Sequence, residues 1–334
     1  MSNFYESVIQ IHYYYEIVLM LISSFLNMVV IYLVLTTKNK VMKNFCMALL
    51  FSVFGDIFYT VTNFISMMIV EIRGGKMFFM TVGYFSNSPY PYNALMTSLW
   101  LTGMYVTIMT VMVQFVFRYY TLSKHGMTIL QLMGVYSLGM TWALSQGFAA
   151  FICFDDVSPA DTKIIRTHPM YAKDTPQYMS GDTSNFGAIA HFMCSQVSIL
   201  VMYCIIIFTG RRIYKLLNTD VEMSQNTRNA QKKLNMVMTL QATYPGLIVG
   251  LPVVVATGLA EAKYDIEWGG IYFVTSISCI PIINSLTVLV VIPSFRRRIL
   301  SAFTGYSHSA VTQGSISKEK ITTLATTHAE HLAM

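Results

Sequence analysis

Few side chains in this sequence could do chemistry, and most of those lie inside long apolar stretches. Asp56 is an acid deep in one stretch, and Asn27 and Asn284 are amides in two others. A carboxylate among amides can close a hydrogen-bonded layer or hold a cation, sodium at Asp56 being the candidate; alone in hydrocarbon it is costly. Arg118 closes a further stretch within Gln114-Phe-Val-Phe-Arg-Tyr-Tyr120, with Tyr119 beside it. A guanidinium there can snorkel toward a polar surface. The histidines, among them His12, His125, His168 and His191, form no metal-spaced pair. The cysteines (Cys46, Cys153, Cys194, Cys204 and Cys279) are odd in number and scattered, which fits neither a disulfide framework nor a zinc site. No nucleophile motif appears, so neither an enzyme nor a cofactor is expected.

The elements that must position these residues are membrane helices. Charged residues make up 11% of the chain and apolar residues 54%, against roughly 25% charged in an ordinary soluble domain. Seven apolar runs are read at approximately 13–35, 45–70, 93–117, 127–153, 186–209, 236–260 and 268–292. Runs of about 20 residues span a hydrocarbon core of about 30 Å as helices. The expected fold is an all-α membrane protein, a seven-transmembrane bundle, because backbone in lipid must satisfy its own hydrogen bonds. Basic residues concentrate after runs one, three, five and seven, as Lys38, Lys40, Lys43, Arg118, Lys124, Arg211, Arg212, Lys215, Arg228, Lys232, Lys233 and Arg296 to Arg298. With the tail, those segments carry 16 of the 22 Lys and Arg, which puts the N-terminus outside and the C-terminus in the cytoplasm. The expected layout is an extracellular segment 1–12, a membrane domain 13–300, and a disordered Ser/Thr-rich tail 301–334 open to phosphorylation. No cleavable signal peptide is expected, since the first run is too long. The net charge of +6 is dispersed over short loops and points to no nucleic acid; the bilayer is the expected surrounding.

At this topology Asp56 lies about 11 residues, or roughly 16 Å, from the inner face, and Asn27 and Asn284 about 12 Å from it. One interior polar cluster is therefore expected. Pro245 and Pro252 in the sixth run and Pro281 in the seventh each remove a backbone bond and are candidate hinges. Trp100, His191, Trp268 and Tyr272 at the outer ends could line a ligand pocket, and the 24 methionines suit an adaptable one. Interfacial anchoring would explain the aromatic residues equally well. Arg211, Arg212, Lys232 and Lys233, with Arg118 and Tyr119, stand at the inner face where a cytoplasmic partner would dock.

Three passages resemble a nematode serpentine chemoreceptor of the Str superfamily, of the str or srd type. They are Phe115-Val-Phe-Arg-Tyr-Tyr-Thr-Leu122, Thr239-Leu-Gln-Ala-Thr-Tyr-Pro245 and Pro293-Ser-Phe-Arg-Arg-Arg298. Asn27, Asp56, Arg118, Trp142 and a proline in the sixth run also fall in the order of rhodopsin-like receptors. The resemblance implies a receptor in the plasma membrane of sensory neurons, in their cilia, that binds an environmental or pheromonal small molecule and activates a heterotrimeric G protein. The chain departs from the rhodopsin-like pattern at Phe117, where an acid would precede Arg118, and at Pro281-Ile-Ile-Asn284. Lys232 to Val237 holds no carboxylate to restrain Arg118. A small-solute transporter or channel using Asp56 as an ion site is the alternative, disfavoured by the odd helix count and the lack of a repeat.

Overall fold

The computed structural model describes residues 2–37, 40–123, 126–219, 225–266 and 269–304. Trp268, Lys38, Lys124 and the tail beyond Thr304 lie outside the described residues. Residues Met1–Val291 form one compact unit and Ile292–Met334 a second.

The first unit is a seven-helix bundle: α1 (Ser2–Leu35), α2 (Lys40–Ser66), α3 (Tyr92–Leu122), α4 (Ile129–Phe148), α5 (Phe186–Thr219), α6 and α7. α6 runs as Gln225–Pro245, a π-helical turn Gly246–Gly250, and Leu251–Glu261; α7 runs as Gly269–Ser278 and Ile280–Val291. Six of the helices are long and apolar enough to cross a bilayer, and α4 is the shorter seventh. The second unit contributes α8 (Pro293–Thr304), which carries Arg296, Arg297 and Arg298.

α3 is the axis of the bundle. Its residues from Met96 to Val111 are buried apart from Leu99, and its Trp100, Met104, Tyr105 and Met109 lie in the main core. Helix ends follow local chemistry. α4 starts at a capping box, in which Thr128 accepts from the Gln131 amide and the Gln131 side chain returns to Thr128. Along α2 and α5, Thr60, Thr62, Ser66 and Thr209 bond back to carbonyls one turn earlier, which keeps their hydroxyls satisfied within the helix.

Two boundaries differ from the hydropathy reading. α1 begins at Ser2, so residues 2–12 continue the first helix. The second run does not stay helical to residue 70. α2 stops at Ser66, Met67 takes a positive φ, and Met68–Arg73 forms strand β1. β1 pairs antiparallel with β2 (Lys76–Thr81), which pairs with β3 (Tyr178–Asp182). The connecting turn needs Gly74 and Gly75, at φ 59° and 77°, a region that residues with a Cβ avoid. Ile69, Val70 and Ile72 are β-branched, and a short apolar run of this type cannot be told from helix by hydropathy alone.

The sheet caps one end of the bundle. Its two faces bury different things, as a strand's period of two requires. Val70, Ile72, Met77 and Phe79 face the helices. Ile69, Phe78 and Met80 face a small second core with Ile165, Met170 and Tyr171. Ions pin the hairpin: Lys76 Nζ lies 2.7 Å from Asp161 and 2.8 Å from Asp182, while the Gly74 amide donates to Asp265 at 2.8 Å.

Candidate functional site

At the sheet end, a partly open apolar cavity of about 70 Å³ lies between α3, α5, α6 and α7. Val70, Ile72, Met77 and Phe79 of the hairpin roof it. Of the residues expected to line a pocket, Trp100 and His191 do so. Tyr272 does not: its side chain is exposed, and the next residue, Phe273, takes the lining position. Neighbouring side chains on a helix point about 100° apart, which sends one ring out and the other in. Polar groups in the wall are few. Tyr105 and Ser195 hydroxyls lie 2.7 Å apart, and His191 Nε2 lies 2.9 Å from the Gln146 carbonyl. With Nε2 donating there, His191 Nδ1 is an acceptor, and it has no hydrogen-bond partner among the described residues.

The middle layer brings Asn27, Asp56 and Asn284 together. Asn284 Nδ2 donates to Asp56 Oδ1 at 2.8 Å, and Asn27 Oδ1 accepts from Ser285 at 3.1 Å, so α1, α2 and α7 are tied at one level. All three are buried. The amide hydrogen held by Asp56 fills one of its acceptor sites without a second charge. Among the described residues no group of three His, Cys, Asp or Glu could hold a metal ion.

At the far end, Arg118 is buried and spans from α3 to α6. Its Nη2 donates to the Gln231 carbonyl at 3.3 Å and to the Gln231 side-chain Oε1. A neutral amide therefore occupies the place where an acid was sought, one residue before the stretch Lys232 to Val237. A search for hydrogen-bond acceptors in place of carboxylates would have found it. Tyr119 is half-buried, and Lys232 and Lys233 are exposed on α6. Arg211 borders a groove between α5 and α6, and Arg212 lies over the Phe208 ring at 5.2 Å. Gln114, one turn from Arg118, buries an amide with no partner among the described residues, a position suited to ordered water.

The hinge candidates coincide with breaks in helix geometry. Pro245 ends the first piece of α6, the π turn follows, and Pro252 opens the next piece. A proline has no amide hydrogen, so the register must slip or a carbonyl goes unpaired. Tyr203 of α5 donates to the Ala242 carbonyl at 3.2 Å just before the turn. In α7, Pro281 follows the break at Cys279.

Sequence reading missed a further group on the sheet side of Asp56. Glu16 is buried on α1, accepts from Asn63 of α2 at 2.6 Å, and lies 2.8 Å from Ser278 of α7. Asn63 Oδ1 accepts from Trp100 at 3.0 Å. The available signal was the spacing of His12 and Glu16, one helical turn apart at the edge of an apolar run.

A family model described as "Serpentine type 7TM GPCR chemoreceptor Srd" matches residues 11–301. Squid rhodopsin is similar in structure, with a TM-score of 0.65 over 89% of this chain and 86% of that chain. The identity is 14%, so that likeness speaks to the fold alone. Comparison with curated proteins finds no match.

Proposed function

Since the chain belongs to the Srd family of serpentine seven-transmembrane chemoreceptors, we propose that it binds a small molecule at the sheet end and activates a heterotrimeric G protein at the other. The sheet end faces outside in this reading, which the distribution of basic residues supports. The ligand sits in the roofed cavity, so it is compact and largely apolar, with a donor group for His191 Nδ1. Its higher affinity for an active state shifts an equilibrium that exists without it.

The observation that carries this reading is the hold of Arg118 on Gln231, which ties α3 to α6 at the end away from the cavity. Moving the inner part of α6 outward about the Pro245 turn breaks that hold and opens a cleft lined by Arg118, Tyr119, Lys232 and Lys233, with Arg211 and Arg212 across from it. The G protein docks there. The receptor works in the plasma membrane, and by its family in the cilia of sensory neurons.

The test is Arg118→Ala at matched surface expression, with a panel of odorants and secreted small molecules and a calcium readout. Loss of responses that the unsubstituted chain gives is expected. An unchanged response profile sinks the role of Arg118.

A further inference from the structure

Glu16 is a buried acid that signalling through Arg118 does not use. Its donors can be counted. Trp100 Nε1 can only donate, so its bond to Asn63 Oδ1 turns the Asn63 NH₂ toward Glu16. That NH₂ also reaches Ser278 Oγ at 3.1 Å. One N–H of this amide thus points at Glu16 and the other at Ser278. The Ser278 hydroxyl has one proton and two acceptors in reach, the Val274 carbonyl at 3.0 Å and Glu16 Oε1 at 2.8 Å. Hydroxyls inside helices commonly bond back one turn. When Ser278 does so, the proton in its contact with Glu16 must come from Glu16 itself.

The surroundings supply one exchange partner. His12 Nδ1 lies 4.0 Å from Glu16 Oε1, and the ring abuts the Met68 backbone with neither nitrogen in a well-formed hydrogen bond. The other titratable groups facing Glu16 are Tyr15 of α1, Tyr59 of α2 and Cys279 of α7. The turn Pro169–Tyr171 packs on the outer part of α1 and brings Tyr171, bonded to Glu71. None of these neighbours is a Lys or Arg.

We propose that His12 and Glu16 form a site for a second ligand, an external proton, whose occupancy reaches the apolar cavity through Asn63 and Trp100. One proton shared by the carboxyl and imidazole leaves the pair neutral. Taking a second leaves His12 cationic, and losing the first leaves Glu16 ionised. Either change alters what the Asn63 amide must satisfy, and Asn63 fixes the indole that walls the cavity. The proposal rests on the sheet end facing outside.

The full chain in lipid nanodiscs, with Trp142→Phe and Trp268→Phe, keeps Trp100 as its one tryptophan. Its emission is followed between about pH 5 and 8, where imidazole titrates. Trp100 emission is expected to change through that interval. Glu16→Gln and His12→Gln should each abolish the change, and Glu71→Gln should keep it. A structural role alone would lower yield without making emission pH-dependent. Flat emission from the chain with Glu16 and His12 intact overturns the proposal, as does a change that survives both substitutions together. If Glu16→Gln does not fold, the pH titration of the parent and of His12→Gln still decides. Arg118→Ala is read by a separate signal, so either idea can fail alone.

Discussion

Single residues decide how tightly the resting state is held. Arg118 donates to the backbone and side-chain oxygens of Gln231, which gives charge-assisted hydrogen bonds between α3 and α6. Such bonds contribute about 1.5–3 kcal/mol. Gln231→Ala should therefore raise ligand-independent signalling by about tenfold or more, and Gln231→Glu should lower it by pairing charge with charge; G-protein nucleotide exchange at equal receptor density checks both. Glu71, in the extramembrane sheet, carries a different prediction. Burial pushes its carboxyl up from 4.5 to about 7, against the Tyr171 hydroxyl and Arg73, which pull it down. Below 4.5 the group is neutral whether the chain is folded or not, and the sheet keeps its full stability. As pH rises from 4.5 to about 7 the unfolded chain ionises first and stability falls. The protection factors of the β1 and β2 amides, with the pH dependence of intrinsic exchange divided out, should be larger on the acid side of that interval, and Glu71→Gln should remove the slope. The sequence made Asp56, Asn27 and Asn284 legible because a polar group deep in an apolar run stands out by depth alone. It hid Glu16 and Gln231 because one sits at the edge of an apolar run and the other just before one, where charged and amide residues are ordinary and only the tertiary partners reveal burial.

At the scale of elements, the helices were legible and the sheet was not. Apolar runs of helical length have one solution in lipid, whereas Met68 to Val70 is apolar and merely adjoins a helix. The Gly74-Gly75 pair was the one local hint that the run turns back on itself. What joins strand to bundle is also a glycine. A Cβ on Gly270 of α7 would collide with the Val70 carbonyl, so β1 reaches α7 only because that position is bare. Gly270→Ala should displace backbone and cost about 1–3 kcal/mol, as overpacking does. Gly258→Ala on α6 meets nothing within 4 Å and should be neutral or stabilising by up to about 1 kcal/mol. Thermal unfolding of the two purified variants separates a steric contact from a general dislike of substitution; equal losses would refute the contact. The prolines of α6 belong to the same scale. They were visible in the sequence, but the π turn between them follows from hydrogen-bond register, which composition does not record.

For the whole molecule the central question is which end meets which compartment. The fold has an apolar, roofed cavity at one end and a cluster of cations around Arg118 at the other, and geometry is indifferent to their sidedness. Charge supplies the direction. In sequence, the connections after the first, third and fifth helices together with the tail carry 16 of the 22 Lys and Arg, while the segments at the sheet end mix Arg73, Lys76 and Lys163 with Glu71, Asp161, Asp182 and Asp265. Moving clustered cations across a bilayer is costly, which favours a cytoplasmic Arg118 end. An epitope added before Met1 should be labelled on intact cells, and one added after Met334 only after permeabilisation. The reverse pattern would put the cavity inside the cell, and an environmental ligand could not reach it from outside. Sidedness therefore governs the ligand and the proton site together: a chain inserted the other way would turn both toward the cytoplasm and Arg118 away from any G protein.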